Sequence, residues 1–240
     1  MSGFRWSRRV RIALLIVLLL GLLLFFPLAI ALGIAGVDRL GVSGRDVRGS
    51  IWQGRIDQLM LGPVAMGDVR VALSPLPLLV GRARFDLRRK AGLADDFEGA
   101  VSFAPGRIGI DDVTGAVPMG RLMSPLPIGS LSMEDVSVRF AAGRCGHAEG
   151  RVRAQVMGQI AGLNLSQGLS GVAACDGDAL LLPLVSQSGL EKITLRLRET
   201  GRYTAEMRVE TSDPTLAGAL AAAGFQSVGN ARLLSVEGSL

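Results

Sequence analysis

The sequence predicts a mostly β protein, in which a single N-terminal transmembrane helix precedes an antiparallel β-sheet domain with two similar β units and one disulfide. Three observations in the 240 residues carry this prediction. No charged residue occurs between Ile12 and Val37, apolar and polar residues alternate along much of the remaining chain, and 32 glycines punctuate the alternating runs. With 49% hydrophobic residues, the chain is too apolar for a disordered protein. The part beyond the apolar run suits one folded domain of ordinary size.

The apolar run predicts a transmembrane helix over residues 12–34. About twenty helical residues, at 1.5 Å each, span a hydrocarbon core of about 30 Å. Four arginines precede the run and no acidic residue occurs before Asp38. The positive-inside rule therefore puts residues 1–11 in the cytoplasm and residues 35–240 beyond the membrane. A cleavable signal peptide ending at the small-residue sequence 29–31 is the alternative, and it exports the domain equally.

The two cysteines, Cys145 and Cys175, fall in the exported part. A cysteine pair in an oxidising compartment most simply forms one disulfide. Its loop of about 30 residues would stabilise the fold by roughly 3–4 kcal/mol. Free thiols are one alternative. A metal site that uses His147, the only histidine, is another, although no second close-spaced ligand pair occurs.

The hydrophobic pattern beyond residue 36 has a period of two, which is typical of half-buried antiparallel strands. The clearest runs are residues 133–140, 193–198 and 203–210. Glycine, aspartate and proline interrupt such runs at intervals of about eight to twelve residues, as in hairpins and meanders. The best helix outside the apolar run is 213–224, with Asp213 as its cap, Pro214 at its first position and Gly224 as its stop.

An internal repeat indicates two similar β units. Residues 47–55 match residues 113–121 in their glycine and apolar positions, and an alternating strand follows each copy. Pro118 stands in the second copy where Trp52 stands in the first. The predicted organisation is therefore a cytoplasmic N-terminus (1–11), a transmembrane helix (12–34) and a β domain (35–240), with repeat units at about 47–110 and 113–175 and C-terminal strands and a short helix in 176–240.

The residue inventory argues against an enzyme. His147 alone could supply the histidine base that works near neutral pH, and it sits in what looks like a strand. The acidic pairs 95–96 and 111–112 fall at expected turn positions, where aspartate is favoured for local backbone bonds. No phosphate-binding glycine loop precedes a helix. We therefore expect no catalytic residues, no cofactor and no metal.

The charge excludes another class of partner. Almost all of the formal net charge of +5 comes from the four N-terminal arginines, so the β domain is nearly neutral. A nucleic-acid interface, which needs clustered basic residues on one face, is not indicated.

The candidate contact residues are Trp52, Gly49 and Gly54. A tryptophan flanked by glycines is either a partner-binding platform or a core anchor packed against a thinned strand. Two apolar stretches, 74–79 and 124–128, are expected to be exposed loops that either dock a partner or simply connect strands.

Several features together resemble one known family. After the arginine-rich N-terminus and the apolar run come Gly-Ser-Ile-Trp-Gln-Gly (49–54) and Pro-x-Pro-Leu-Leu-x-Gly (75–81). The cysteines follow in Cys-Gly-His-Ala-Glu-Gly (145–150) and Gly-Val-Ala-Ala-Cys (171–175), and a late Asp-Pro-x-Leu helix ends the series. In this order and spacing, the chain resembles type II secretion system protein N, the GspN family.

The resemblance implies a single-pass protein of the bacterial inner membrane with its bulk in the periplasm. Such a protein supports export across the outer membrane through contacts with the inner-membrane platform or the secretin, without an active site. The alternating pattern also resembles, more loosely, the AsmA-like periplasmic proteins. That resemblance implies a lipid-binding or lipid-transfer function, for which an apolar sheet face open to solvent would be expected.

Overall fold

A computed structural model describes residues 8–35, 41–90, 96–119, 122–157, 162–163 and 165–239. Within these ranges the chain forms four helices and sixteen strands. The helices are α1 (Arg8–Leu24), α2 (Leu28–Ala35), α3 (Pro75–Leu78) and α4 (Pro214–Ala222). The strands are β1 (Val42–Ser43), β2 (Asp46–Ser50), β3 (Gln53–Leu61), β4 (Val64–Ser74), β5 (Ala83–Arg89), β6 (Phe97–Ala104), β7 (Arg107–Pro118), β8 (Ile128–Ala141), β9 (Arg144–Val156), β10 (Leu169–Val172), β11 (Ala174–Asp176), β12 (Ala179–Ser186), β13 (Glu191–Arg198), β14 (Arg202–Glu210), β15 (Gln226–Val228) and β16 (Ala231–Ser239).

All sixteen described strands belong to one antiparallel sheet, which confirms the predicted β architecture. The order is β1-β3-β4-β5-β6-β7-β8-β9-β10-β12-β13-β14-β16-β15, with β2 paired to β3 and β11 paired to β12. Most strands pair with their neighbours in sequence, because short glycine-containing turns return the chain directly. Very short strands, β1 and β15, end the path, which limits the edge available for pairing with another chain.

The sheet has one apolar and one polar face, as strict alternation predicts. In β14 the buried side chains are Tyr203, Ala205, Met207 and Val209. Apolar side chains from β3 to β14 join one continuous core cluster. Leu220 of α4 and the segment 122–126 pack onto this cluster, and the Tyr203 hydroxyl donates to the Leu122 carbonyl at 2.5 Å. Most of the apolar face is therefore closed by packing, and it is half-buried around Phe85.

The N-terminal apolar segment differs from the single predicted helix over 12–34. The structure divides it into α1 and α2, because Pro27 has no N–H to continue the helix and disfavours helical backbone at Phe26. Pro27 instead forms a bridge with Ser50, and the fully buried Leu28 joins the core cluster of the sheet. No helix within the ranges given above is both long enough and apolar enough to cross a membrane.

Two local predictions are confirmed. Cys145 and Cys175 form a disulfide whose Cα atoms lie 5.4 Å apart, so the free-thiol and metal alternatives for these cysteines are wrong. Helix α4 begins as predicted, with the Asp213 carboxylate accepting from the Thr215 N–H at 2.8 Å. Gly224 follows the helix with a φ of +94°, a left-handed conformation that suits glycine.

The two copies of the predicted repeat lie in one sheet but in different settings. Residues 47–55 form a hairpin, in which Gly49 pairs with Gly54 across the turn. In the second copy, Val113–Pro118 is instead the final part of β7, and Gly120 and Arg121 lie outside the described residues. The division into two similar units stays a prediction.

Candidate functional site

Four arginines line up across four neighbouring strands on one face of the sheet. The register pairs Arg48 with Arg55, Arg55 with Arg70, and Arg70 with Arg88, from β2 to β5. We call these four residues the arginine row. Like charges placed directly opposite one another destabilise a sheet, because paired side chains lie close together. The row therefore costs stability unless carboxylates or a bound anion compensate it.

Half of the row is compensated within the chain. Arg48 pairs with Asp46 at 2.5 Å, and Arg55 pairs with Asp57 at 2.5 Å and with Asp68 at 2.8 Å. The hydrogen bonds to Asp57 and then Asp68 raise the pKa of the exposed Arg55 guanidinium above its ordinary value. These contacts hold the first two cations in place.

Arg70 and Arg88 differ from their neighbours in the row. Both are exposed, and among the described residues no carboxylate lies within ion-pair distance of either one. Guanidinium groups in this state are free to bind a carboxylate or phosphate through paired N–H donors. Arg88 lies opposite Glu98 of β6, but the two side chains do not form an ion pair. Arg70 and Arg88 are therefore the half of the row that is available to bind an acidic partner.

The row borders a cleft of about 680 Å³. Its lining includes all four arginines together with Gly49, Gln53, Gly54, Val71, Ala72 and Asp86. The Asp86 carboxylate is engaged, since it accepts from the Ser74 hydroxyl and from Arg84 at 3.0 Å. The cleft thus presents a net positive lining to its opening.

The structure brings together two of the three predicted contact residues. Gly49 and Gly54 line the cleft, and Gly49 has a φ of +88°, which suits glycine in this tight hairpin. At Gly54 a Cβ atom would collide with the Leu28 side chain, so the absence of a side chain here lets the N-terminal segment pack against β3. Trp52 lies in the turn between β2 and β3, where it is half-buried, and it is not part of the cleft lining.

Sequence reasoning missed the arginine row. Its members are far apart in sequence, and only the strand register makes them neighbours. One signal was available, since a two-residue turn at Ile51 and Trp52 would already put Arg48 opposite Arg55. The partners Arg70 and Arg88 depend on the register of β4 and β5, which the sequence pattern does not specify.

The acidic pair 111–112 was predicted at a turn, and this is wrong. Asp111 and Asp112 lie inside β7, at a register shift where Asp112 has a φ of +55°. The Asp111 side chain is only 2% exposed. Burial alone would raise the pKa of Asp111, but hydrogen bonds from Ser102, Arg82 and Arg139 together hold it below its ordinary value. The Asp111 carboxylate therefore stabilises the fold and is not exposed to act on a substrate.

The remaining candidates for chemistry are also engaged or lie outside the described residues. His147 is exposed on β9 and pairs with Glu149 at 3.1 Å. Its neighbour Cys145 is used by the disulfide. Asp95 lies outside the described residues. The segment 124–128 was expected to be exposed, but Leu126 and Ile128 are buried in the core, so that expectation is wrong.

Comparison with known families matches the β domain as a whole. The model of the type II secretion system protein N family matches residues 40–233, which include β1 to β15 and the beginning of β16. Comparisons with curated proteins and with solved structures gave no match. Because the family model covers well over half of the chain, this protein is a member of the type II secretion system protein N family.

Proposed function

We propose that this chain is a non-catalytic component of the type II secretion pathway that acts through protein–protein contacts of its β domain. The family match over residues 40–233 carries the proposal, since the matched part is the β-sheet domain described above. The geometry agrees with a contact function. The cleft beside the arginine row is lined mainly by arginines and glycines, and the buried carboxylate of Asp111 is held by hydrogen bonds within the fold.

The proposed location is the inner membrane, with residues 1–11 in the cytoplasm and the β domain in the periplasm. The charge-free sequence between Ile12 and Val37 and the four arginines before it support this orientation. Large apolar side chains of α1, such as Val17 and Leu18, are about two-thirds exposed (66% and 67%), which suits lipid surroundings. A disulfide persists in the oxidising periplasm.

The proposed contact surface is the arginine row with its cleft. Its chemistry fits an acidic segment of another secretion component, of the inner-membrane platform or the secretin, because Arg70 and Arg88 can each hold a carboxylate in a paired, two-bond geometry. The fold does not support the alternative of an AsmA-like lipid-binding function, since packing covers most of the apolar sheet face that a lipid would need.

A secretion assay with charge-reversal variants tests this function. Deletion of the chain should leave the exported enzymes in the periplasm while growth continues. The double variant Arg70→Glu, Arg88→Glu should fail to restore secretion, because the repelled partner no longer docks. The matched control is Arg144→Glu, Arg153→Glu in β9, two arginines that are likewise exposed and without an ion pair among the described residues.

Two measurements decide the outcome. Secreted and periplasmic enzyme activities are compared for both double variants at equal protein levels. Normal secretion after deletion would refute the secretion role. Equal secretion by the row variant and the β9 control would refute the row as the contact surface, and the wider role would stand.

A further inference from the structure

The connection between β4 and β5 carries the most exposed aliphatic side chains of the described β domain. Residues 75–81 read Pro-Leu-Pro-Leu-Leu-Val-Gly, and α3 forms their first turn. Leu76, Leu79 and Val80 are 76%, 84% and 81% exposed. Three such side chains on one short connection form an apolar patch rather than isolated surface residues. We call residues 75–81 the apolar connection.

Most backbone N–H groups of the apolar connection are hydrogen-bonded within the connection itself or are absent. Pro75 and Pro77 have no N–H. The N–H groups of residues 79, 80, 81 and 82 all donate to carbonyls within residues 76–78, at 3.0–3.2 Å. No side chain in the connection can donate a hydrogen bond. Because most of its N–H groups are already satisfied, the segment loses few hydrogen bonds to water when it enters the surface region of a bilayer.

The connection lies at the end of the sheet where α1 meets the β domain. The Ile51 N–H donates to the Phe26 carbonyl at 3.0 Å, and the Leu73 N–H donates to the Ile51 carbonyl at 2.8 Å. Two hydrogen-bonded steps, each about 5 Å wide, therefore link the last residues before Pro27 to the end of β4. The apolar connection starts immediately after that strand.

An aromatic residue occupies the same end of the sheet. Trp52 lies in the turn between β2 and β3, directly after Ile51. Tryptophan is enriched where a membrane meets water, since its ring is apolar and its indole N–H is polar. The helix end, the tryptophan turn and the apolar connection thus face one side of the molecule.

We propose that the apolar connection dips into the surface of the bilayer that holds α1, so that the domain touches the membrane at a second point. This inference rests on the proposed membrane anchoring. A bilayer fits better than a protein partner, because the connection offers no polar side chain to fix the register of a specific interface. Two points of contact would hold the sheet at a defined angle to the membrane.

Tryptophan quenching by lipid tests this contact in the full chain. The protein is reconstituted in phosphatidylethanolamine–phosphatidylglycerol vesicles, with Trp6→Phe and Trp52→Phe to remove the native emission. A single new tryptophan then reports from one position: Leu79→Trp in the connection, Leu18→Trp in α1, or Leu190→Trp. Leu190 is a matched control, since it is a 51% exposed leucine in a turn at the opposite end of the sheet. Circular dichroism verifies the β fold of each variant.

The contact predicts that lipids brominated along the acyl chains quench Leu79→Trp and Leu18→Trp, whereas Leu190→Trp keeps its emission. If Leu18→Trp is quenched while Leu79→Trp stays as bright as Leu190→Trp, the inference is overturned and the anchor stands. A connection that docks a protein gives this same pattern. Bright Leu18→Trp with quenched Leu79→Trp refutes the anchor, and it overturns the two-point contact as well, because the connection would then be the first point of attachment and not a second one. If both stay bright, both proposals fail.

Discussion

At the scale of single residues, Asp111 shows how the polar face is held together. Its buried carboxylate lies in β7 and accepts a hydrogen bond from Arg82, the residue before β5. It also accepts two hydrogen bonds from Arg139 of β8, at 3.3 and 3.4 Å. Ser102 in β6 adds a further hydrogen bond. The carboxylate of β7 thus links side chains from β6 and β8 with the residue that precedes β5.

The substitution Asp111→Asn should destabilise the protein by roughly 2–3 kcal/mol, because it removes a buried charge from hydrogen bonds to guanidinium groups and leaves those cations uncompensated. Denaturant unfolding in detergent measures this loss. The adjacent Asp112→Asn is the control. Its side chain is 61% exposed and asparagine tolerates its positive φ, so the loss should stay below about 1 kcal/mol. Equal losses for the two variants would contradict this role of Asp111.

The same carboxylate predicts a pH dependence. The pKa of Asp111 is lowered in the folded state, so its contribution to stability is fully present above the ordinary aspartate value of 3.8. It is lost as pH falls through the lower folded pKa. The stability difference between the wild type and Asp111→Asn should therefore be constant near neutral pH and shrink below about pH 4. A difference that grows on acidification would be inconsistent with the lowered pKa.

At the scale of elements, the disulfide holds a junction that backbone pairing leaves open. β10 pairs with β9 over residues 169–172, whereas β11 pairs only with β12. The Cys145–Cys175 bond links β9 to β11 just beyond the point where that ladder ends. The disulfide therefore holds the β10–β11 segment against β9 where no β9–β11 ladder is formed.

The double variant Cys145→Ser, Cys175→Ser should lower the free energy of unfolding by about 3–4 kcal/mol, because the disulfide closes a loop of 30 residues in the unfolded chain. Chemical denaturation of the variant is compared with that of the wild type before and after reduction. The reduced wild type should match the variant. Identical unfolding of the oxidised and reduced wild type would disprove the stabilising role.

Elements were predictable where a local pattern specifies them. Half-buried strands produce a period of two. A helix starts at Pro214 because the Asp213 side chain caps it and the proline ring fixes the backbone at its first position. Beyond the pair Arg48 and Arg55, the arginine row was not predictable, because alternation gives the face of a residue and not its partner across the sheet. The division of the N-terminal segment at Pro27 differs from the single helix that was predicted over 12–34. The pairing of Pro27 with Ser50 depends on a tertiary contact that no local pattern contains.

At the scale of the whole molecule, the N-terminal segment is part of the β domain's core as well as a proposed anchor. Leu28 is completely buried in the same cluster as Ile56 of β3, and Gly54 leaves the space that its side chain occupies. Together with the Pro27–Ser50 bridge, this contact attaches the start of α2 to the first hairpin. A flexible tether would make neither contact.

This coupling predicts that a change in the N-terminal segment weakens the folded sheet. Leu28→Ala should destabilise the β domain by roughly 2–5 kcal/mol, since it leaves a cavity beside Gly54 that the surrounding core residues cannot fill. Ile30→Ala on the same helix is the control, because Ile30 is 52% exposed and its loss should fall within about 0.5 kcal/mol. Denaturant unfolding followed by circular dichroism of the strands measures both variants. A simple tether would give equal, small losses for the two, because its residues would then contribute nothing to the stability of the sheet.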